Sequence, residues 1–190
     1  MSPILGIWAS QISGHLWAPS GAYDALATVT VPSGGAASIT FSGIPTGYKH
    51  LQLRMILRGD RADTGDDIKV QFNGDTGNNY ADHILSGNGS SAGTYAQSSF
   101  SMIYSYEGMT AANAAANIFY AGIMDILDYA STVKNKTTRW LQGKDLNGSG
   151  AVAFTSGLWA NTSAINTVTF APRYGANFVQ YSQIALYGVK

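Results

Sequence analysis

Leu51-Gln52-Leu53-Arg54-Met55-Ile56-Leu57-Arg58 alternates with a period of two. Side chains on a strand point to opposite faces in turn, so Leu51, Leu53, Met55 and Leu57 share one side. That side reads as core; Gln52, Arg54, Ile56 and Arg58 form a mostly wet face. The pattern returns at Ile68, Val70 and Phe72, set against Lys69, Gln71 and Asn73. Between the two strands lies a polar loop, Gly59 to Asp67.

Working outward, short alternating runs and turn residues continue in both directions. Upstream, Leu26 to Val31 reads as a strand and Pro32-Ser33-Gly34-Gly35 as a turn. Ala37 to Phe41 then puts Ile39 and Phe41 on one face, and Ser42 to Gly47 turns the chain again. Downstream, Asn73 to Asn79 is turn chemistry, Tyr80 to Leu85 a strand, and Ser86 to Gly93 a Gly/Ser/Asn loop. Phe100 to Tyr106 reads as extended. The Ala/Asn-rich stretch Thr110 to Asn117 favours a helical turn. Ile118 to Tyr129 is the longest apolar run and is expected to be a central strand covered on both faces. Lys134 to Gln142 pairs with Val152 to Trp159 through a link carrying Asn147-Gly148, a hairpin signal. Ile165 to Phe170 and Ile184 to Val189 complete the set.

About ten or eleven short strands in one chain predict two packed antiparallel sheets. The expected fold is therefore all-β: an antiparallel β-sandwich, jelly-roll-like, with an extended apolar N-terminal arm. The division is residues 1–20 for the arm and 21–190 for the sandwich; no linker splits the body.

The composition narrows the function classes. Among 190 residues the formal net charge is zero and only 12% are charged, which argues against a nucleic-acid binder. Arg54, Arg58 and Arg61 read as the solvent face of a strand and its turn. Ser, Thr, Gly, Ala and Asn supply the polarity, and a net charge near zero favours association. The absence of cysteine excludes disulfides, thiolate catalysis and zinc–thiolate sites. Asn-X-Ser/Thr sequons at Asn88, Asn135, Asn147 and Asn161 read as fortuitous in so Ser/Thr-rich a chain.

The arm carries no Asp, Glu, Lys or Arg, but it does carry Ile4, Leu5, Ile7, Trp8, Ile12, Leu16 and Trp17. Burying such surface is worth roughly 25 cal/mol per Å². The arm therefore either lies on its own domain, with Ile4 to Trp8 as an edge strand, or docks into a partner. It lacks the positive n-region of a secretory signal, and Ser10, Gln11 and Ser13 interrupt its apolar run. It is also too short and too polar for a membrane span, so no membrane insertion is expected.

The chemical motifs are weak. Gly89-Ser90-Ser91-Ala92-Gly93 matches G-x-S-x-G but lies in a flexible-composition loop, without the strand-to-helix setting of a nucleophile elbow. His15, His50 and His83 are the only histidines that could serve as bases. Asp145 to Gly150 imitates half of a calcium loop, but Ser156 stands where the bidentate Glu belongs. Asp60, Asp63, Asp66 and Asp67 could converge on a cation, although loop carboxylates are ordinarily just solvated. Asp125 and Asp128 are the carboxylate pair a glycosidase would need; they read as a strand end. No enzyme and no cofactor are expected. Aromatic rings with loop Asn and Asp offer a different possibility. Tyr95, Tyr104, Tyr106 and Tyr174 are candidate glycan contacts, with Trp140, Trp159 and Tyr181 further rings beyond what a core needs.

Several stretches resemble virion proteins of tailed bacteriophages. These are Ser2-Pro3-Ile4-Leu5-Gly6-Ile7-Trp8-Ala9-Ser10-Gln11, Ser38-Ile39-Thr40-Phe41-Ser42-Gly43-Ile44-Pro45, Asp125-Ile126-Leu127-Asp128-Tyr129-Ala130, Gly157-Leu158-Trp159 and the run Tyr181 to Lys190. The resemblance implies a particle component located in the virion, without catalytic residues. Expected partners are other virion proteins of capsid or tail and further copies of the chain as a homotrimer. On this reading the arm anchors a capsid decoration or cement protein. The alternative is a tail-fibre or receptor-binding module recognising a host-surface glycan.

Overall fold

The computed structural model describes residues 21–106 and 108–190. The expected docking arm, residues 1–20, lies outside the described residues. Fourteen strands follow in order: β1 (Tyr23–Thr30), β2 (Ile39–Ser42), β3 (His50–Leu57), β4 (Gly65–Asp66), β5 (Ile68–Phe72), β6 (Tyr80–Gly87), β7 (Ala92–Phe100), β8 (Ile103–Tyr104), β9 (Met109–Thr110), β10 (Tyr120–Leu127), β11 (Lys136–Asp145), β12 (Gly150–Trp159), β13 (Thr167–Pro172) and β14 (Gln183–Val189). Eleven have four residues or more. No helix among the described residues is long and apolar enough to cross a membrane.

The chain is an antiparallel β-sandwich, jelly-roll-like. One sheet has eight strands in the order β1-β14-β3-β10-β11-β12-β6-β7; the other has four, β2-β13-β5-β8; β4 and β9 form a small ribbon. The chain passes repeatedly between the sheets, so the core is built from residues far apart in sequence. Leu51, Leu53, Met55 and Leu57 of β3 face inward and are buried, as the alternation requires. They pack in one cluster with Ile68, Val70 and Phe72 of β5 and with Val168 and Phe170 of β13. Trp140 of β11 meets Phe170 edge-on across the interface, with ring centroids 6.4 Å apart.

The expected β11–β12 hairpin forms, in a register that sets Lys136 opposite Trp159 and Asp145 opposite Gly150. Its turn places Asn147 at φ 60° and Gly148 at φ 108°, the left-handed pair that Asn-Gly supplies at least cost. Three expectations change. Ile118 to Tyr129 yields a central strand, β10, but only one of its faces is covered: Ile123 is exposed while Met124 is buried. Phe100 to Tyr106 is not continuous; the chain leaves β7, after a left-handed Ser99 (φ 55°), before entering β8. Thr110, grouped by the sequence with the helical turn, belongs instead to β9, and the turns follow from Ala111 to Asn117. Those turns are held from outside by Arg58, whose guanidinium donates to the carbonyls of Ala112, Ala114, Ala115 and Ile118. Arg58 is thus a clamp for a loop and not merely a solvent-facing charge.

A buried carboxylate gives a pH-dependent prediction. Asp82 on the inner face of β6 is 1% exposed, and burial pushes its carboxyl above the ordinary value, against the hydrogen bond donated by Gln97 Nε2 at 2.9 Å. A raised carboxyl costs nothing below its unfolded value near 3.8 and penalises the fold as pH rises through the folded value. Asp82→Asn keeps an acceptor for Gln97 and removes the charge. Its urea midpoint is expected to exceed that of the parent at pH 7 and to converge with it below about pH 4. A variant less stable at pH 7 would show that the buried charge is compensated.

Candidate functional site

Two surfaces stand out. The first is the outer face of the eight-stranded sheet. Pairing places Arg54, Ile123, Leu141, Phe154 and Leu85 in one row across β3, β10, β11, β12 and β6. The next row carries Ile56, Ala121, Gly143, Val152 and Gly87. Ile56, Leu85, Leu141 and Val152 are each more than half exposed, with Ile123 at 43% and Phe154 at 42%. Two shallow apolar grooves run along this band, one at Ile56, Ile123, Leu141 and Val152, the other at Leu85 and Phe154. A third row, Gln52, Asp125, Arg139, Ser156 and His83, gives a polar margin with charges of both signs. Five strands at about 4.8 Å spacing make the band roughly 20 Å wide. Single exposed apolar residues need no explanation, but a contiguous band rimmed by polar residues marks an interaction surface.

The second surface is a polar cleft at one end of the sandwich, about 550 Å³ in volume. Its walls come from three places: the Arg61–Asp67 segment, the β6–β7 turn at Asn88 and Ser90, and the β11–β12 turn from Leu146 to Gly150. A smaller hollow of about 240 Å³ shares Asn88 and continues toward Tyr95 and Tyr106. Asn88 Oδ1 accepts from the backbone N–H groups of Ser90 and Ser91 at 3.0 and 2.9 Å, which fixes the turn between the two hollows.

The acidic loop does not gather its carboxylates. Asp60 accepts the N–H groups of Ala176 and Asn177 and the Asn177 amide; Asp66 accepts from the N–H groups of Asp67, Tyr174 and Gly175. Asp63 pairs with Arg61 at 3.2 Å and Asp67 with Arg173 at 3.1 Å. The loop carboxylates therefore pin the Tyr174–Asn177 segment. No three His, Asp or Glu side chains among the described residues are placed to hold a metal ion. For Asp60 the burial cost is outweighed by the Asn177 and Ala176 donors, and its carboxyl sits below the ordinary value.

The other candidates are dispersed. Ser91 lies in the β6–β7 turn, its hydroxyl near Asn88 Oδ1, while His83 is on the outer sheet face opposite Ser156 and Ala96. His50 Nδ1 accepts the Asp128 N–H at 3.0 Å. Asp125 accepts from Gln52 Nε2, and Asp128 is held between Lys49 and Lys134.

Three of the four candidate tyrosines come together. Tyr95 and Tyr106 lie parallel, centroids 6.2 Å apart and planes 9° from each other, and Tyr104 meets Tyr95 edge-on. Tyr104 is only 2% exposed, and the Arg173 guanidinium lies 4.0 Å above its ring. Burial, then the Tyr95 hydroxyl, pushes the Tyr104 phenol well up. Tyr174 is exposed, but Arg61 and Arg173 stack on its ring. The freely presented ring is therefore that of Tyr95, backed by Tyr106. Trp140 and Trp159 are buried, contrary to the expectation that they are surface rings. Arg173 links Asp67, Tyr104 and Tyr174, a role that sequence reading missed because a lone Arg after β13 has no periodic signal.

No family model matches the chain, and no curated protein matches it. A crystal structure of the Caenorhabditis elegans galectin LEC-6 is similar over 86% of this chain and 95% of that one, at 11% sequence identity and a TM-score of 0.28. A likeness that low carries no inference about function.

Proposed function

We propose that the chain is a non-enzymatic structural subunit of a bacteriophage virion, a capsid decoration or cement protein, and that its copies associate through the outer face of the eight-stranded sheet. The observation that supports assembly is the exposed apolar band of Ile56, Ile123, Leu141, Phe154, Leu85 and Val152. A second copy suits this face because Arg54 ends its first row and the margin carries Arg139 beside Asp125, so no single sign of charge repels a like surface, and the chain is neutral. The virion assignment rests on the sequence resemblance. Ile4, Leu5, Ile7 and Trp8 would anchor the body to the particle by burial and by strand pairing.

Sedimentation velocity of the full chain tests the assembly reading: a self-associated species is expected, a homotrimer on the sequence reading or a dimer if like faces meet, and a monomer at the highest soluble concentration overturns it. Deletion of residues 2–17 tests the anchor. The truncated protein is expected to fold and associate normally yet be missing from purified particles. Full loading of the truncated protein would overturn the anchoring role.

A further inference from the structure

We infer that the end cleft and its tyrosine-walled extension bind a neutral saccharide. The walls of the larger hollow, Arg61 to Asp67, Asn88 to Ser90 and Leu146 to Gly150, lie off the apolar band, while Tyr95 also borders its Leu85–Phe154 groove.

The shape comes first. Two hollows of about 550 and 240 Å³ lie beside the Asn88 turn, and Asn88 lines both. Two neighbouring hollows suit two linked rings, and polar groups dominate the larger one. Its lining is dense in hydrogen-bonding groups: Thr64, Asn88, Ser90 and Ser149 offer hydroxyls and an amide. A ligand crowded with hydroxyls, each both donor and acceptor, can satisfy such walls. A lipid chain cannot, and it would leave them unpaired.

Charge selects within the polar ligands. Arg61 is paired with Asp63, Arg173 with Asp67, and Asp66 accepts from three backbone N–H groups. Lys144 brings its ammonium against Gly65, into the space a Cβ there would fill. The cleft thus carries charges of both signs, Arg61 and Lys144 beside Asp63, Asp66 and Asp67. A polyanion would meet carboxylates, and a cationic ligand would meet Lys144 and Arg61.

The tyrosines supply the remaining element. Tyr95 is 48% exposed and stacked over Tyr106, whose neighbour Tyr104 is held by Arg173. The platform is therefore rigid before any ligand arrives, which lowers the ordering cost of binding. An aromatic face is electron-rich and attracts the partly positive C–H face of a pyranose ring. Hydroxyls point outward from that ring, toward Ser86, Asn88 and Ser91 at the edge of the same hollow.

The test uses the full chain on immobilised neutral gluco-, galacto- and manno-oligosaccharides beside sialylated and sulfated ones. Isothermal titration then follows with any neutral oligosaccharide retained. Binding to a neutral oligosaccharide is expected, and Tyr95→Ala is expected to weaken it at least about tenfold. Ser149→Tyr, which fills the cleft from an exposed turn, is expected to weaken it as well while leaving the thermal midpoint unchanged. Retention of no saccharide, or of acidic ones alone, overturns the inference. So does undiminished binding in both variants, which would put the sugar elsewhere.

Discussion

Leu141→Asp is expected to convert the assembled protein to monomer without unfolding it. Leu141 is 57% exposed at the middle of the outer band, flanked in register by Ile123 and Phe154. In the monomer an outward aspartate there meets water, and the cost is limited to strand propensity, about 1 kcal/mol or less. In a face-to-face interface the same carboxylate would be buried among aliphatic side chains with no partner. Breaking such an environment with an unpaired charge costs on the order of 3–5 kcal/mol, or about two to four orders of magnitude in the association constant. Sedimentation velocity reads the outcome, with a thermal melt as control for folding. Val133→Asp serves as a second control: Val133 is 82% exposed outside the sheet, so its change is expected to leave association intact. If Leu141→Asp sediments like the parent, the sheet face is not the interface.

The fold was legible because the strongest local signal, alternation in β3, coincides with the deepest burial. Leu51, Leu53 and Leu57 are all fully buried. The β11–β12 hairpin was legible for the same reason: Asn147-Gly148 specifies both the turn and, through it, the register of twenty flanking positions. What failed is instructive. Period-two reasoning divides a strand into two faces and assigns the polar one to water, yet Ile56, Ile123, Leu141 and Phe154 occupy that outer face. Each strand contributes only one or two of these residues, so no single segment looks unusual. The band exists only after β3, β10, β11, β12 and β6 are placed side by side, and that order is not local information. The same holds for the cleft, whose walls come from three loops spread between Arg61 and Gly150.

The tyrosines illustrate a different limit. Composition counts rings but does not say which face of a ring is free. Tyr104 and Tyr95 belong to strands in different sheets, and only their packing reveals that one is covered by Arg173 while the other is exposed. Trp159 is similar: its indole N–H donates to Asp75 at 2.7 Å from within the core, a partner 84 positions away. Buried polar groups of this kind are satisfied by long-range pairing that a sequence does not display.

Gly122→Ala is expected to be the most destabilising single-methyl change in the body, by about 3–5 kcal/mol. Gly122 sits on the inward face of β10, opposite Gln142. A Cβ there would lie 2.0 Å from the Tyr120 hydroxyl, 2.6 Å from that ring's Cζ and 3.0 Å from Trp140 Nε1. The glycine is thus required by close approach, not by an unusual backbone angle. The Tyr120 hydroxyl is the centre of a buried chain: it accepts from Trp140 Nε1 at 2.6 Å and donates to Gln142 Oε1 at 3.0 Å. Tyr120 and Trp140 are both fully buried, so a displaced hydroxyl finds no water to replace its partners. Overpacking contributes about 1–3 kcal/mol. Each orphaned polar group adds on the order of 1–3 kcal/mol. Urea unfolding measures the sum. The cause is isolated by the double variant Gly122→Ala with Tyr120→Phe, which removes the clashing oxygen but leaves the ring carbon close. The double variant is expected to lose less than the two single variants added together, because the methyl and the hydroxyl compete for one space. Strict additivity, or a Gly122→Ala cost below about 0.5 kcal/mol, would mean that β10 shifts to accept the methyl and that the Trp140–Tyr120–Gln142 chain does not constrain it.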